Sequence, residues 1–260
     1  MSEPSKPIYT SRIIKASALI ADTKVLLSEW ELEQSVADNL DRAQRENIFG
    51  KASRKRVEDV LGIFRQRYFD DVDVGTTLVT LAQGGAPAHW IDPLLYLFAT
   101  QNDRTLRDMV VKVVYPRHLA GYSDLPTEVV VRAIRNWVSE GKTTTPWGER
   151  TILRVAQGFM ATLRDFGVLQ GTAHKQVAPI YLPTPVFALV ALWLQGRERS
   201  GDRVLRSDEW KLFFLPVEGV ERFFIEAHQE HLLSYHAAGS VVRIEFPTAT
   251  MREYAHVLLG

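Results

Sequence analysis

Apolar positions repeat at helical spacing along the first 120 or so residues. Val57, Val60, Leu61, Phe64 and Tyr68 form one such stripe, with Ser53 placed to cap the helix that carries it. Further helices are expected to begin near Thr10, Asp22 and Glu31, and after Asp73, Pro87 and Asp103. "AQGGAP" and "YPRHLAGYSDLP" break the pattern. No strand pattern competes here, so residues 1–125 read as a helical N-terminal domain and residues 126–260 as a second domain.

The second domain repeats itself. "VLQGTAHKQVAPIYLPT" (Val168 to Thr184) lies over "LLSYHAAGSVVRIEFPT" (Leu232 to Thr248) at a constant offset of 64 residues. Leu169 falls on Leu233, Val177 on Val241, Ile180 on Ile244, Pro183 on Pro247 and Thr184 on Thr248. Each copy reads as strand, glycine-containing turn, strand, then proline and a threonine able to cap the next helix. Amphipathic helical segments precede each copy. Helix, helix and hairpin in that order is a winged-helix layout. The expected fold is therefore mainly α: an N-terminal helical bundle followed by tandem winged-helix-like units with two small β-hairpins.

The helix before the first hairpin, roughly Gly148 to Phe166, buries Ile152, Val155, Phe159, Leu163 and Phe166. Its outward row is Arg150, Arg154, Gln157, Ala161 and Arg164, spaced i, i+4, i+7, i+11 and i+14. Arginine and glutamine pair bidentately with guanine and adenine edges. A helix before a wing is where winged-helix proteins read the major groove. His174 and Lys175 fall at the expected wing tip. A charged outer face is also what any amphipathic helix shows, and the connection from Glu140 to Pro146 is long for a helix-turn-helix. In the second copy Arg154 becomes Glu218, Gln157 becomes Glu221, Ala161 becomes Ile225 and Arg164 becomes His228. Acids repel phosphate, so this copy is expected to pack internally or meet a protein.

Charge adds a second candidate. The 31 basic and 31 acidic side chains cancel, which counts against a uniformly basic nucleic-acid binder. Locally they separate. Asp22 to Asp41 holds six acids and one base, and Arg42 to Arg67 eight bases and three acids. Arg54, Lys55 and Arg56 open a helix, where cations oppose the dipole at about 0.3–1 kcal/mol each. A helix N-terminus is also a natural phosphate seat. Lys51, Arg54, Lys55 and Arg65 share one flank of the stripe; Arg56 and Arg67 lie on the other. Pairing with Glu58, Asp59 or the acidic segment accounts for these cations equally well.

Composition narrows the rest. There are no cysteines, so disulfides and cysteine metal sites are excluded. "MSEPSKPIYT" lacks an apolar leader core, and the longest apolar run, Val186 to Leu194, is too short to span a bilayer. A cytoplasmic location without membrane contact is expected. No phosphate-cradling Gly-Lys loop, Gly-x-Ser-x-Gly elbow or His-Glu-x-x-His motif occurs. His228, His231 and His236 read better as solvated or capping groups than as a metal site. Asp70, Asp71 and Asp73 read better as a turn at a helix end than as a cation site. Glu209 to Lys211, "EWK", lacks the strand context of a nuclease. No cofactor is expected.

"SRIIKASALI", "LLSEWE" and "NIFGKASRKRVEDVLGIFRQRY" together resemble the BrxA family of BREX bacteriophage-defence systems. The resemblance is specific over Ser11 to Tyr68 and continues through "LRDFGVL" and "GSVVRIEF". It implies a soluble, largely helical, non-enzymatic protein that binds double-stranded DNA beside a methyltransferase and other BREX proteins. It fixes no reader residues. The expected function is a double-stranded DNA-binding subunit; a protein–protein scaffold and an RNA-binding helical protein are the alternatives.

Overall fold

A computed structural model describes residues 8–15, 17–172, 174–239 and 241–260. The polar segment 1–7, on which the expectation of no leader rests, lies outside the described residues. In chain order the helices are α1 (Ile20–Ser28), α2 (Val36–Glu46), α3 (Arg54–Tyr68), α4 (Val72–Gln83), α5 (Ala88–Asn102), α6 (Arg104–Met109), α7 (Tyr115–Leu119), α8 (Thr127–Ser139) and α9 (Glu149–Asp165). Strands β1 (Leu169–Gln170) and β2 (Gln176–Val177) follow, then α10 (Thr184–Gln195), α11 (Gly201–Leu205), α12 (Val217–Gln229), β3 (Ser234–Ala238), β4 (Val241–Glu245) and α13 (Met251–Leu259). The protein is mainly helical with two small antiparallel hairpins, β1–β2 and β3–β4. Among the described residues no helix is long and apolar enough to cross a membrane.

These elements gather into two compact units. One takes the described residues up to Ala18, with Ala99–Ile180 and Lys211–Phe214; the other takes Leu19–Phe98, Tyr181–Trp210 and Leu215–Gly260.

The helix starts follow local chemistry. Ser53 Oγ accepts from the Arg56 amide and opens α3, as its sequence predicts. Ser35, Asp71 and Asp103 cap α2, α4 and α6 in the same way. Near Thr10 the sequence predicts a helix and the structure forms only a 3-10 turn, Arg12–Ile14. The expected threonine caps after the hairpins move. Pro183 occupies the N-cap of α10, and the Thr184 hydroxyl donates instead to Glu226 Oε1 at 2.7 Å. Before α13 it is Thr250, not Thr248, that forms a capping box, with Glu253.

The first unit is laced by its N-terminal strap, residues 8–15. The Ile8 and Tyr9 amides donate to the Lys142 carbonyl at 2.9 Å, and the Thr144 amide returns a bond to Tyr9 O at 3.0 Å. This parallel bridge, Tyr9 to Thr143, uses the long α8–α9 connection that a tight helix-turn-helix would lack. The Tyr9 ring stacks on Trp137 of α8 at 4.0 Å. Thr105 exchanges two hydrogen bonds with the Thr10 backbone. Between α6 and α7 the helix widens into a π turn, Val110–Val114. Pro116 follows immediately; it has no N–H to give to Lys112 O, and a wider turn accommodates its ring.

Asp108, fully buried on α6, anchors the strap. It accepts from Tyr9 Oη at 3.0 Å, Lys112 Nζ at 2.9 Å, Arg104 Nε at 3.3 Å and Arg107 at 3.1 Å. A buried carboxylate is tolerated because every lone pair has a donor. The apolar stripe of α9 packs as read: Ile152, Val155, Phe159, Leu163 and Phe166 are all buried. Each such side chain contributes about 1.5–3 kcal/mol by leaving water.

The 64-residue repeat has a structural counterpart at its helix ends. Phe166, Gly167 and Val168 donate their amides to Thr162, Arg164 and Leu163; Glu230, His231 and Leu232 donate theirs to Glu226, His228 and Ala227. Gly167 and His231 both sit in the left-handed region, at φ 81° and 60°. Helices α10 and α13 end on the same offset, at Gln195 and Leu259. The hairpins break the register. Leu169 pairs with Val177 across a loop at 171–175, whereas Val241 pairs with Ala238 across two residues.

Burial pushes the Asp108 carboxyl up, but hydrogen bonds from Lys112 and Tyr9, with the charges of Lys112 and Arg104, outweigh it and hold the group below its ordinary 3.8. A depressed folded-state value means the stabilisation is complete above the unfolded value and lost as pH falls through the folded one. Asp108→Asn is therefore expected to lower unfolding stability at neutral pH by about 2–3 kcal/mol. The gap to the parent should close below about pH 4. Urea melts of both proteins across this pH range check it; a gap that is constant with pH would show that the carboxylate charge is not what matters.

Candidate nucleic-acid interface

Two surfaces carry the basic residues singled out by the sequence, one in each unit. On α9 the outward row stands clear of the core. Arg150, Arg154, Gln157 and Arg164 are exposed, and Ala161 is half-buried. The nearby acids are engaged. Glu149 is held by Arg135 of α8 at 2.6 Å, a contact that keeps its carboxyl below the usual range, and Asp165 pairs with Arg164 at 3.3 Å. Arg150 and Arg154 form no ion pair among the described residues. The hairpin after α9 presents His174, exposed, and Lys175, whose Nζ donates to Thr172 O at 3.1 Å. Ala173, in the same turn, lies outside the described residues.

The hairpin also gains a third strand. Leu125 N donates to Lys175 O at 2.8 Å and Val177 N to Ser123 O at 2.7 Å, so the segment before α8 pairs with β2. The order in this unit is thus helix (α6 to α7), extended segment, α8, α9, hairpin.

In the other unit the α3 cations divide three ways. Lys51 pairs with Asp22 at 2.8 Å, Arg54 with Glu58 at 3.5 Å, and Lys55 with Asp59 at 3.2 Å. The pairing that the sequence left open is present. Yet Arg54 and Lys55 keep 83% and 76% of their side-chain surface exposed. Such pairs contribute about 0–1 kcal/mol and yield readily to another anion. Arg56 and Arg65 are exposed and form no ion pair among the described residues. Gly50, at φ 59°, makes the turn that leads into Lys51. An open cleft of about 590 Å³ beside Lys51 and Arg54 is also lined by Arg45, a residue that the stripe analysis passed over because it sits on α2.

Arg67 is a correction. It is only 6% exposed, and its guanidinium acts on the Tyr68 hydroxyl by charge and hydrogen bonding. A side chain packed under the helix is not offered to a ligand, so Arg67 leaves the candidate surface and joins the core. The wheel placed it on the far flank from Lys51 and Arg54 but could not show that this flank is covered.

The remaining polar clusters have local duties. Asp71 caps α4 and pairs with Arg197 at 3.1 Å, while Asp73 Oδ2 accepts the Met251 amide at the start of α13. His228 Nδ1 accepts the Tyr235 amide at 3.3 Å, and its ring lies 5.5 Å from that of His236. Glu209–Lys211 lies in a 3-10 helix, Asp208–Phe213, rather than a strand. Among the described residues no group of three or more His, Asp or Glu side chains could hold a metal ion.

The α12 face that corresponds to α9 is open as well. Glu218, Ile225 and His228 are exposed, and half-buried Glu221 accepts from Tyr235 Oη at 3.4 Å. Internal packing of this face, one of the two expectations, does not occur within its unit.

A profile of the BrxA family matches residues 7–192. The chain belongs to the BrxA family. BrxA proteins are components of BREX bacteriophage-defence systems, which makes other BREX proteins its expected company. The match takes in the strap, α1 to α9, the first hairpin and most of α10; α11 to α13 and the second hairpin lie beyond it. No curated protein matches the chain.

The two flanks of α3 are expected to behave differently on truncation. Arg67→Ala should cost about 2 kcal/mol, because it removes a buried packed stem and a partner of Tyr68. Arg65→Ala should stay within about 0.5 kcal/mol. Chemical denaturation of the two variants decides it; equal effects would mean that Arg67 is not part of this core.

Proposed function

We propose that this BrxA protein is a non-enzymatic, double-stranded DNA-binding subunit of its defence system, and that α9 with the β1–β2 hairpin forms a winged-helix unit that carries the binding. The observation that supports this most is the α9 row. Arg150, Arg154 and Gln157 are exposed on one face, and the flanking acids Glu149 and Asp165 are paired elsewhere. Those three residues can enter a major groove together, and guanidinium and amide groups match base edges bidentately. The order helix, extended segment, two helices, hairpin, with the extended segment pairing to the second hairpin strand, is the winged-helix connectivity. His174 and Lys175 then lie where a wing meets the backbone or the minor groove.

The α3 surface is the second contact in this reading. Lys51, Arg54, Lys55, Arg56 and Arg65 would take phosphates, with the weak pairs to Asp22, Glu58 and Asp59 exchanged for the nucleic acid. The open α12 face, with Glu218 and Ile225, favours a protein neighbour and is the natural place for another BREX component. A purely scaffolding protein, or an RNA binder, remains the competing outcome.

A mobility-shift titration of the pure protein against salt tests the reading. Neutralising about four to six phosphates gives a log–log slope near −4 to −5. Arg150→Ala with Arg154→Ala should weaken duplex binding and flatten the slope by about two. Glu218→Ala with Glu221→Ala should leave it unchanged or slightly tighter. A flat salt dependence would make the protein a scaffold, and preference for RNA over duplex DNA in competition would move it to the third class.

A further inference from the structure

Gly158 interrupts α9 for a reason that lies in the strap. A Cβ built there would sit 3.0 Å from the Ile13 carbonyl oxygen and 3.5 Å from Ile14 Cα. The 3-10 turn Arg12–Ile14 therefore crosses α9 at backbone contact, which only a residue without a side chain allows without displacement. Gly158 is i+4 from Arg154 and i−3 from Ala161, so the crossing point is next to the outward row.

The turn's own side chains divide cleanly. Ile13 is buried at 2% exposure, whereas Arg12 and Lys15 are exposed. In a 3-10 turn positions i and i+3 eclipse, and Lys15 N donates to Arg12 O at 2.9 Å, so both cations leave the same edge. Neither forms an ion pair among the described residues. The strap cannot drift from this position, since Tyr9 is fixed to Asp108 and Lys142, and Thr10 to Thr105.

We propose that Arg12 and Lys15 are backbone-phosphate contacts that extend the α9 surface on its Gly158 side, so that duplex DNA is held by the strap and read by α9. The occupant is the sugar–phosphate backbone flanking the groove that α9 enters. Two cations without acid partners, rigidly set beside an arginine row, match a line of phosphates and no base edge. This rests on the DNA-binding reading above. Nothing in the sequence pattern marks these residues, because Arg12 and Lys15 are far from α9 along the chain.

The test compares salt titrations of three full-length proteins on one duplex: the parent, Arg12→Ala with Lys15→Ala, and Arg150→Ala with Arg154→Ala. Loss of two phosphate contacts should weaken the strap variant by about tenfold or more near physiological salt and flatten its slope by about two units. Arg12→Glu with Lys15→Glu should weaken it further at an unchanged melting temperature. If the parent binds with a steep slope and the α9 variant loses affinity while the strap variant keeps both affinity and slope, the strap proposal fails and the DNA reading stands. A strap variant that weakens without a change of slope also overturns it, since that marks a structural role. A parent that does not bind duplex DNA removes the function proposed above, and this inference with it.

Discussion

A carboxylate taken out of water must find enough donors to replace it, and at Asp108 that requirement organises the first unit. Four donors converge on it, and one of them, Tyr9, comes from ninety-nine residues away. Burial, and then the charge of Asp108, pushes the Tyr9 phenol up, so it stays protonated and remains a donor. Fixing Tyr9 fixes the strap. The strap in turn pairs with Lys142 and Thr144, which sets the shape of the α8–α9 connection, and crosses α9 at Gly158. The side of α9 that faces solvent is the remainder after the core and the strap have taken theirs.

Local patterns in the chain carried much of this. The apolar stripes of α3 and α9, the Ser53 cap and the helix after Asp103 depend on residues within a turn or two of one another, and spacing alone reveals them. The 64-residue repeat was legible for the same reason, down to helix ends that share a hydrogen-bonding pattern. What could not be read depends on distant partners. Thr184 gives its hydroxyl to Glu226 rather than to its own helix start, and Arg67 packs inward although its neighbours Arg65 and Gln66 do not. The α8–α9 connection looked too long because its pairing partner is Tyr9. A helix wheel assigns flanks, but only the fold decides which flank is covered.

The two repeat copies show how one backbone plan separates its uses by surface. Gly167 and His231 occupy the same left-handed position, where histidine pays a conformational cost that glycine avoids. The bonds around them are the same, so the copies agree where the backbone must turn. They differ where it meets solvent. One outward row is arginine and glutamine with its acids paired elsewhere; the other holds Glu218, Glu221 and an exposed Ile225. The hairpins diverge too, since a five-residue loop can carry His174 and Lys175 outward while a two-residue turn gives longer, flatter strands.

Position relative to the family match adds a further step. The matched stretch, 7–192, contains every element that builds the α9 surface: the strap, the Asp108 cluster, the α8–α9 pair and the first hairpin. It also contains the α3 cations. The acidic α12 face lies outside it. If the DNA surface is what the family shares, the charge on α9 and the strap is under the constraint of a phosphate lattice with fixed spacing. The α12 face answers only to whichever protein it meets. A phosphate lattice is the same for every genome, whereas a protein neighbour changes with its own sequence. The physical demand on the two copies is therefore unequal, and their opposite charge is what that inequality permits.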